Sequence, residues 1–315
     1  MGLKRSMSAP FRILLYYLYS PVDDPVDFAG QQQELCQDLG LRGRIIVATE
    51  GINGTVSGEA AATEAYMEAM KADPCTAGMV FKIDPADAHS FKKLSVKVRP
   101  EIVTLQHGRE ADIDPTVLAG RRLAPADFYA AMKQKGALVL DGRNKYESDL
   151  GRFKGAVCPE VENFRDFPEW IRNNLAGAKD RPILTYCTGG IRCEKLSGFL
   201  LKEGFSNVAQ LDGGIVSYGK DPAVQGRDFE GQCYVFDSRI GVPVNFTNPT
   251  VVASCRMCGE PSERYVNCAW EPCNCRIFQC HCCEQGSGRF CSDECGRLAG
   301  RSREEPRCHG FWQES

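Results

Sequence analysis

Hydrophobic and polar positions alternate at two different spacings along roughly the first hundred residues. Residues 12–19 form a continuous aromatic and aliphatic run, which is typical of a strand, whereas the apolar positions of 26–39 recur at helical spacing. The same patterns then predict strands at 43–49 and 53–57, a helix at 60–71, and strands at 79–83 and 96–105. The order begins βαββαβ, which predicts a small ferredoxin-like α+β domain.

Short apolar strands separated by helices follow in the next part of the chain. Pro125 suits the first position of a helix, where its missing N–H needs no partner, and a second helix is expected from about Glu194. Apolar strands are predicted at 137–141, 183–186 and 207–211. This alternation predicts a parallel sheet that is covered on both faces, and therefore an α/β domain.

The chain is expected to contain three folded units. They are a ferredoxin-like domain at 1–106, a parallel-sheet α/β domain at 124–230 and a cysteine-rich module at 251–315. A linker at 107–123 and a connecting arm at 231–250 join them.

The composition is that of a globular protein, with 43% hydrophobic and 25% charged residues. The longest apolar stretches are far shorter than the ~20 residues that a bilayer requires, and no charged-then-apolar signal segment opens the chain. These features predict a cytoplasmic protein with no membrane partner. The net charge of -3 gives no general attraction to nucleic acid, so a polyanionic partner must be met by a local basic patch.

Cysteine is the most informative residue type, because 11 of the 17 cysteines lie between Cys255 and Cys308. Four closely spaced pairs stand out, and each spacing lets two thiolates reach one tetrahedral zinc ion. The pairs are Cys255 and Cys258, Cys268 and Cys273, Cys280 and Cys283, and Cys291 and Cys295. We expect two structural zinc ions rather than disulfides in a reducing compartment.

The order in which these pairs share the two ions is open. Sequential and interleaved arrangements both fit, and interleaving is slightly favoured because the segments between the pairs are too short to build a core unaided. The remaining candidate ligands of the module are Cys275, Cys282, Cys308, His281 and His309.

A separate cysteine, Cys187, lies between a predicted strand and a helix. The residues that follow it are Thr188, Gly189, Gly190, Ile191, Arg192 and Cys193. A glycine-containing turn that opens a helix points backbone N–H groups inward, where they stabilise a thiolate or the outer sulfur of a persulfide. Arg192 adds a fixed positive charge, and Cys193 is either a resolving thiol or an inconsequential helix residue. The simpler alternative is that Cys187 is a buried small hydrophobe.

The neighbouring motifs resemble those of rhodanese domains. They are Asp141-Gly142-Arg143, the stretch at 151–156, the Cys187 loop and Asp212-Gly213-Gly214. The six-residue loop from Cys187 to Arg192 matches the length found in rhodanese-type sulfurtransferases, whereas the related phosphatases use seven residues. The resemblance therefore implies a rhodanese fold for the central domain and a sulfur-carrying cysteine.

A wider resemblance runs along nearly the whole chain. The phrases at 48–55, 91–99, 101–105, 186–195, 219–222 and 231–237 are similar, in order, to those of the bacterial tRNA uridine(34) hydroxylase family. The resemblance implies oxygen-dependent hydroxylation of the wobble uridine of tRNA to 5-hydroxyuridine. It also implies that Cys187 is the active cysteine, that the partner is the tRNA anticodon stem-loop, and that an unidentified reductant supplies electrons.

The residues themselves offer a local basic patch for RNA at Lys92, Lys93, Lys97 and Arg99, next to the aromatic Phe91. Molecular oxygen is the expected co-substrate, yet the four histidines lack the pattern of non-haem iron oxygenases, and no flavin, haem or nicotinamide motif is found. Two alternatives stay open: a persulfide sulfurtransferase that relays sulfur to an acceptor, and a zinc-bearing binding protein with an inert loop.

Overall fold

The computed structural model describes residues 9–105 and 113–300. The first domain consists of β1 (Phe11–Tyr19), α1 (Pro25–Asp38), β2 (Arg42–Ala48), β3 (Gly51–Glu59), α2 (Ala60–Ala72), β4 (Lys82–Ala86) and β5 (Leu94–Val98). The sheet order is β4-β1-β3-β2-β5, in which only β2 and β5 run parallel. Its first four strands have the predicted ferredoxin-like arrangement, to which β5 adds an edge.

Two strands of this domain differ from their predicted positions. The strand expected at 79–83 is β4, which begins at Lys82, because Met79 instead packs into the core between sheet and helices. The strand expected at 96–105 ends at Val98, and Pro100 follows, where a missing N–H and a fixed φ disfavour continued pairing.

Side chains of β1 alternate between two faces of the sheet. Leu14 and Tyr16 are fully buried under the helices, where the Tyr16 hydroxyl lies 2.6 Å from that of Tyr66. Leu15 and Tyr17 therefore point to the opposite face, which is the face that the central domain covers.

The central domain is the predicted parallel α/β fold. Its elements are β6 (Arg121–Leu123), α3 (Pro125–Met132), β7 (Leu138–Asp141), α4 (Lys145–Ser148), β8 (Gly151–Phe153), α5 (Phe167–Asn174), β9 (Ile183–Tyr186), α6 (Ile191–Lys202), β10 (Val208–Leu211) and α7 (Gly214–Lys220). The parallel sheet has the order β6-β10-β9-β7. Strands β7, β9 and β10 are buried along their whole length, as expected for strands covered on both faces.

The segment at 231–250, predicted as a connecting arm, takes part in a small sheet. Strand β11 (Phe229–Tyr234) pairs antiparallel with β8 of the central domain and with β12 (Gly241–Pro243). The cysteine-rich module follows, with β13 (Tyr265–Asn267), β14 (Arg276–Phe278), α8 (His281–Ser287) and α9 (Asp293–Leu298). Within 9–105 and 113–300, no helix combines the length and apolarity needed to cross a membrane.

Candidate active site

The loop that follows β9 folds back on its own first residue. Gly190 has a φ of 104°, a left-handed conformation that favours glycine, and it caps the N-terminus of α6. Its backbone N–H donates a hydrogen bond to the Cys187 Sγ at 3.1 Å. Helix α6 begins at Ile191, earlier than the predicted Glu194, so Arg192 and Cys193 lie in its first turn. The loop thus holds Cys187 at the positive end of a helix.

A second glycine turn packs against the backbone of this loop. The Ile215 N–H donates to the Cys187 carbonyl at 2.9 Å, and the Val216 N–H donates to the Thr188 carbonyl at 3.1 Å. A Cβ on Gly214 would lie 2.6 Å from the Cys187 carbonyl oxygen and 2.7 Å from the Gly190 nitrogen. Only glycine fits there, which explains the Asp-Gly-Gly sequence.

Arg192 is held by a carboxylate that the sequence did not single out. Its guanidinium donates to both carboxylate oxygens of Glu147, at 2.6 and 2.7 Å, and both side chains are buried. Burial alone lowers the pKa of Arg192, but Glu147 outweighs burial and raises it above its usual value. The Asn144 backbone N–H also donates to Glu147, at 3.2 Å. The available signal was the Asn-x-x-Glu spacing of a capping box at the start of α4.

The surroundings of Cys187 favour the thiolate. Burial alone raises the pKa of this thiol, but the Cys193 thiol, the Arg192 charge and the N–H groups of Cys193 and Gly190 together lower it to about 6. For Cys193, burial and the adjacent Cys187 raise the pKa well above the ordinary thiol value. The two thiols are therefore distinct: Cys187 is the one that ionises more readily, and the Cys193 thiol stays protonated and donates to it.

We expect the Cys187 thiol to ionise near pH 6. Because its pKa is lowered, the thiolate is present above that pH and is protonated as the pH falls through it. Ultraviolet absorbance of the thiolate, measured against pH and corrected by subtracting Cys187→Ser, reports this ionisation without requiring a reagent to reach the buried sulfur. A transition that stays at the ordinary thiol value of about 8.5 would contradict the assigned electrostatics.

The motif Asp141-Gly142-Arg143 contacts the end of strand β9, from which the cysteine loop departs. Arg143 is fully buried and donates to Asp141 at 2.6 Å and to the Gly151 carbonyl at 2.6 Å. The Tyr186 hydroxyl donates to the same Asp141 at 2.7 Å. Since Tyr186 directly precedes Cys187, this network fixes the end of β9 from which the loop departs.

The first domain lies directly on the loop and on α6. The Tyr17 hydroxyl donates to Glu194 at 3.1 Å, and the Tyr19 hydroxyl donates to the Ile191 carbonyl at 3.3 Å. A Cβ on Gly189 would lie 3.1 Å from the Leu15 side chain. The open face of the five-stranded sheet therefore covers the cysteine loop.

Lys195 of α6 anchors this interface. Its ammonium contacts Glu50 at 2.8 Å, Glu101 at 2.5 Å and the Val103 carbonyl at 3.2 Å, and the Lys195 side chain is only 3% exposed. Glu50 also accepts a hydrogen bond from the Ile102 N–H at 2.7 Å. Lys195 thus joins helix α6, which carries Arg192 and Cys193, to the first domain and to the segment that leaves that domain.

Replacing Lys195 with methionine is expected to lower the free energy of unfolding by about 3–5 kcal/mol, because it leaves two half-buried carboxylates without their cation. Urea denaturation followed by circular dichroism measures the change. Lys202→Met, at an exposed position of the same helix, is the matched control and should be nearly neutral. Equal stabilities for the two variants would show that the anchor contributes nothing.

A cleft of about 780 Å³ lies between the first and central domains. It is in the range of roughly 300–1,000 Å³ typical of small-molecule pockets. Its wall from the first domain includes Tyr17, Phe81 and Lys82, and its wall from the central domain includes Arg122 and Gly213. A Cβ on Gly190 of the cysteine loop would lie 2.8 Å from the Tyr17 hydroxyl and 3.6 Å from the Gly213 nitrogen, so the cleft adjoins the loop.

Known protein families match almost the whole chain. Residues 11–102 match the family model described as UPF0176 acylphosphatase like domain, residues 124–221 match the Rhodanese-like domain, and residues 230–296 match Rhodanase C-terminal. Proteins named tRNA uridine(34) hydroxylase from Bacillus cereus strain AH820 and Bacillus mycoides strain KBAB4 are each 54% identical to this chain over 297 residues, covering 93% of it and 91% of each relative. The chain belongs to the tRNA uridine(34) hydroxylase family.

In this member of the tRNA uridine(34) hydroxylase family, the predicted RNA-binding residues lie away from the cleft. Lys92, Lys93, Lys97 and Arg99 are all exposed, within or beside β5. That strand is the sheet edge opposite to β4, which lines the cleft. Phe91 is buried, so it does not offer an exposed ring to a base, contrary to the expectation from the sequence.

The cysteines of the third unit gather in two groups, each of which could hold a metal ion. One group is Cys255, Cys258, Cys280 and Cys283, and the other is Cys268, Cys273, Cys291 and Cys295. Within each group the ligand atoms lie within 4.8 Å of one another. The first cysteine pair joins the third and the second joins the fourth, which is the interleaved order.

The spacing of these sulfurs suits a tetrahedral ion. Four thiolates at a Zn–S distance of ~2.3 Å stand about 3.8 Å apart, and the Sγ atoms of Cys258 and Cys280 are 3.7 Å apart. Among the described residues, Cys275, Cys282 and His281 belong to neither group. Cys308 and His309, two further candidate ligands, lie outside the described residues.

Proposed function

We propose that this protein hydroxylates C5 of the wobble uridine of tRNA, with molecular oxygen as co-substrate and Cys187 as the essential thiol. The observation that carries the proposal is the position of Cys187: a low-pKa cysteine adjoins a nucleotide-sized cleft that the central domain forms together with the family's own N-terminal domain. A sulfurtransferase that acts on small molecules does not need the N-terminal domain to form one side of the cleft. An enzyme that binds a base of a large RNA does need such a surface.

The overall reaction requires electrons in addition to oxygen. One atom of dioxygen becomes the hydroxyl at C5, and the other leaves as water after accepting two electrons and two protons from a reductant. Within the chain, the N–H groups of Gly190 and Cys193 and the Arg192 charge stabilise negative charge on Cys187 or on a persulfide sulfur that it carries. Glu147 holds Arg192 in place.

Cys193 is assigned the role of resolving thiol. A thiolate derived from Cys193 attacks the inner sulfur of a Cys187 persulfide, forms the Cys187–Cys193 disulfide and releases hydrosulfide. The raised pKa of Cys193 keeps this thiol protonated while an anionic Cys187 lies beside it, and attack on the protonated persulfide lets hydrosulfide leave.

In this proposal the anticodon stem-loop binds at two surfaces of the protein. Loop bases of RNA are read when they are splayed out of the stack, and the interdomain cleft offers the aromatic wall that such a base needs. Lys92, Lys93, Lys97 and Arg99 contact phosphates farther along the RNA. The two cysteine groups hold structural zinc ions, and the protein works in the cytoplasm, where its tRNA substrate is found.

Nucleoside mass spectrometry tests the proposal. A strain lacking this protein and its homologues is complemented with the wild-type chain, and its tRNA is digested. Return of 5-hydroxyuridine-derived wobble nucleosides is the expected result. If these nucleosides do not return while 2-thio nucleosides change instead, the protein relays sulfur and the proposed function is wrong.

A further inference from the structure

Three cations line the cleft, Lys82, Arg122 and Lys220, and the sequence pattern pointed to none of them. Lys82 is the first residue of β4, half-buried, and its ammonium lies over the Tyr17 ring at 5.2 Å from the centroid. A Cβ on Gly213 would lie 3.3 Å from the Lys82 Cε, and the same Gly213 turn packs on the cysteine loop. Burial lowers the pKa of Lys82, and the nearby negative charge of Cys187 opposes this effect without outweighing it. The ammonium therefore lies on the side of the cleft nearest to Cys187.

Other cations of the cleft are already engaged by carboxylates. Arg122 contacts Glu194 at 2.9 Å, and Lys220 forms an ion pair with Asp84. Lys82 forms no hydrogen bond or ion pair within 9–105 and 113–300, although Asp212 also lines the cleft. A half-buried ammonium whose three donors lack protein acceptors is poised to donate to a ligand.

The positions of the uracil ring atoms determine which of them can accept a hydrogen bond from Lys82. Hydroxylation at C5 requires C5 to lie next to Cys187, and the carbonyl oxygen O4 is bonded to C4, the ring atom beside C5. A cation adjacent to Cys187 is therefore within reach of O4 rather than of O2, which lies across the ring. Cytosine carries an amino donor at that position, which an ammonium cannot accept.

Resting on the proposed function, we propose that Lys82 is the residue that recognises uracil in the cleft, by donating a hydrogen bond to O4 of the extruded wobble base while the base lies beside the Tyr17 ring. Lys82 is then a specificity-determining residue that favours uridine over cytidine. The phosphate contacts of the RNA are made elsewhere, so its contribution is confined to one base.

Binding of short RNAs separates this role from catalysis. Anticodon stem-loops carrying uridine, 4-thiouridine or cytidine at position 34 are titrated with the full-length wild-type chain, Lys82→Met and Lys82→Arg, followed by fluorescence anisotropy. The wild-type chain is expected to bind the uridine stem-loop about tenfold more tightly than the other two, as for one charge-assisted hydrogen bond. Lys82→Met should weaken binding of uridine alone, to the level of cytidine, and Lys82→Arg should keep part of the preference.

Lys71→Met, at an exposed position on α2, is the matched control and should leave all three affinities unchanged. Thermal melting of each variant confirms that it is folded. If Lys82→Met weakens all three RNAs equally, Lys82 contacts phosphate and the inference is overturned, and an unchanged preference overturns it as well. If the wild-type chain binds none of the stem-loops, the proposed function fails before the role of Lys82 is tested.

Discussion

Replacing Cys187 with serine is expected to abolish formation of 5-hydroxyuridine at position 34, with a loss of at least about a thousandfold. Serine keeps the shape of the side chain and an acceptor for the Gly190 N–H, but its hydroxyl does not ionise near pH 6 and carries no persulfide sulfur. Complementation with this variant, followed by mass spectrometry of the wobble nucleosides, measures the loss.

The control for this experiment is Cys75→Ser, at a half-buried cysteine of the first domain whose thiol donates to the Pro21 carbonyl at 3.4 Å. It should complement as well as the wild type. Thermal melting curves of both variants should match that of the wild type. Full activity of a folded Cys187→Ser protein would remove the thiol from the mechanism altogether.

Loss of zinc is the second large effect that we expect. Two ions per chain are predicted, and structural zinc sites contribute about 10–16 kcal/mol of apparent binding free energy in small domains. Either Cys255→Ala or Cys280→Ala should therefore remove one ion and unfold part of the module. Elemental analysis for zinc and limited proteolysis of the module measure the two consequences.

Double variants distinguish the order in which the cysteines share these ions. In the interleaved arrangement Cys255 and Cys280 belong to one site, so Cys255→Ala/Cys280→Ala loses one ion, whereas Cys255→Ala/Cys268→Ala loses both. A sequential arrangement gives the reverse pattern. Cys282→Ala, at an exposed cysteine that belongs to neither group, is the control and should keep both ions.

The active-site loop could be predicted from sequence because its determinants are local. Cys187, Gly190 and Arg192 lie close together in the chain where a buried strand passes into a helix, and the conformation at Gly190 is one that glycine adopts readily. Helix α6 was predicted to begin at about Glu194, but it begins at Ile191, and this difference also has a local cause. Residues 191–193 already have helical geometry, but the apolar residues that show helical periodicity, Leu196, Phe199 and Leu200, come after them.

The residues that complete the site could not be predicted, because each depends on distant pairing. Glu147 reaches Arg192 across 45 positions, and Lys195 reaches Glu50 across 145. Lys82 belongs to an edge strand whose position depends on pairing with β1, and the apolar residues before it suggested a strand that begins at 79. The motifs were enough to indicate the family. The contacts between the first and central domains could not be predicted from them, because these contacts form only when the two domains pack together.

Pairing of the first domain with the rhodanese fold is what makes the cleft. Without the first domain, the loop would leave Cys187 open to small reagents that react with thiols. In this protein Leu15 and Tyr17 cover the loop, and Cys187 is fully buried. In the proposed function, a base extruded from an RNA loop approaches Cys187 from the cleft that adjoins this loop. The same covering excludes bulk water from the Cys187 sulfur.

Isotope labelling tests the central claim, that this chain inserts an atom of dioxygen at C5 of the wobble uridine. The deletion strain complemented with the wild-type chain is grown under ¹⁸O-labelled oxygen gas in ordinary water, and 5-hydroxyuridine from its tRNA is analysed by mass spectrometry. The account predicts that the oxygen at C5 carries the label. An unlabelled hydroxyl under labelled gas, with label incorporated only from labelled water, would contradict it.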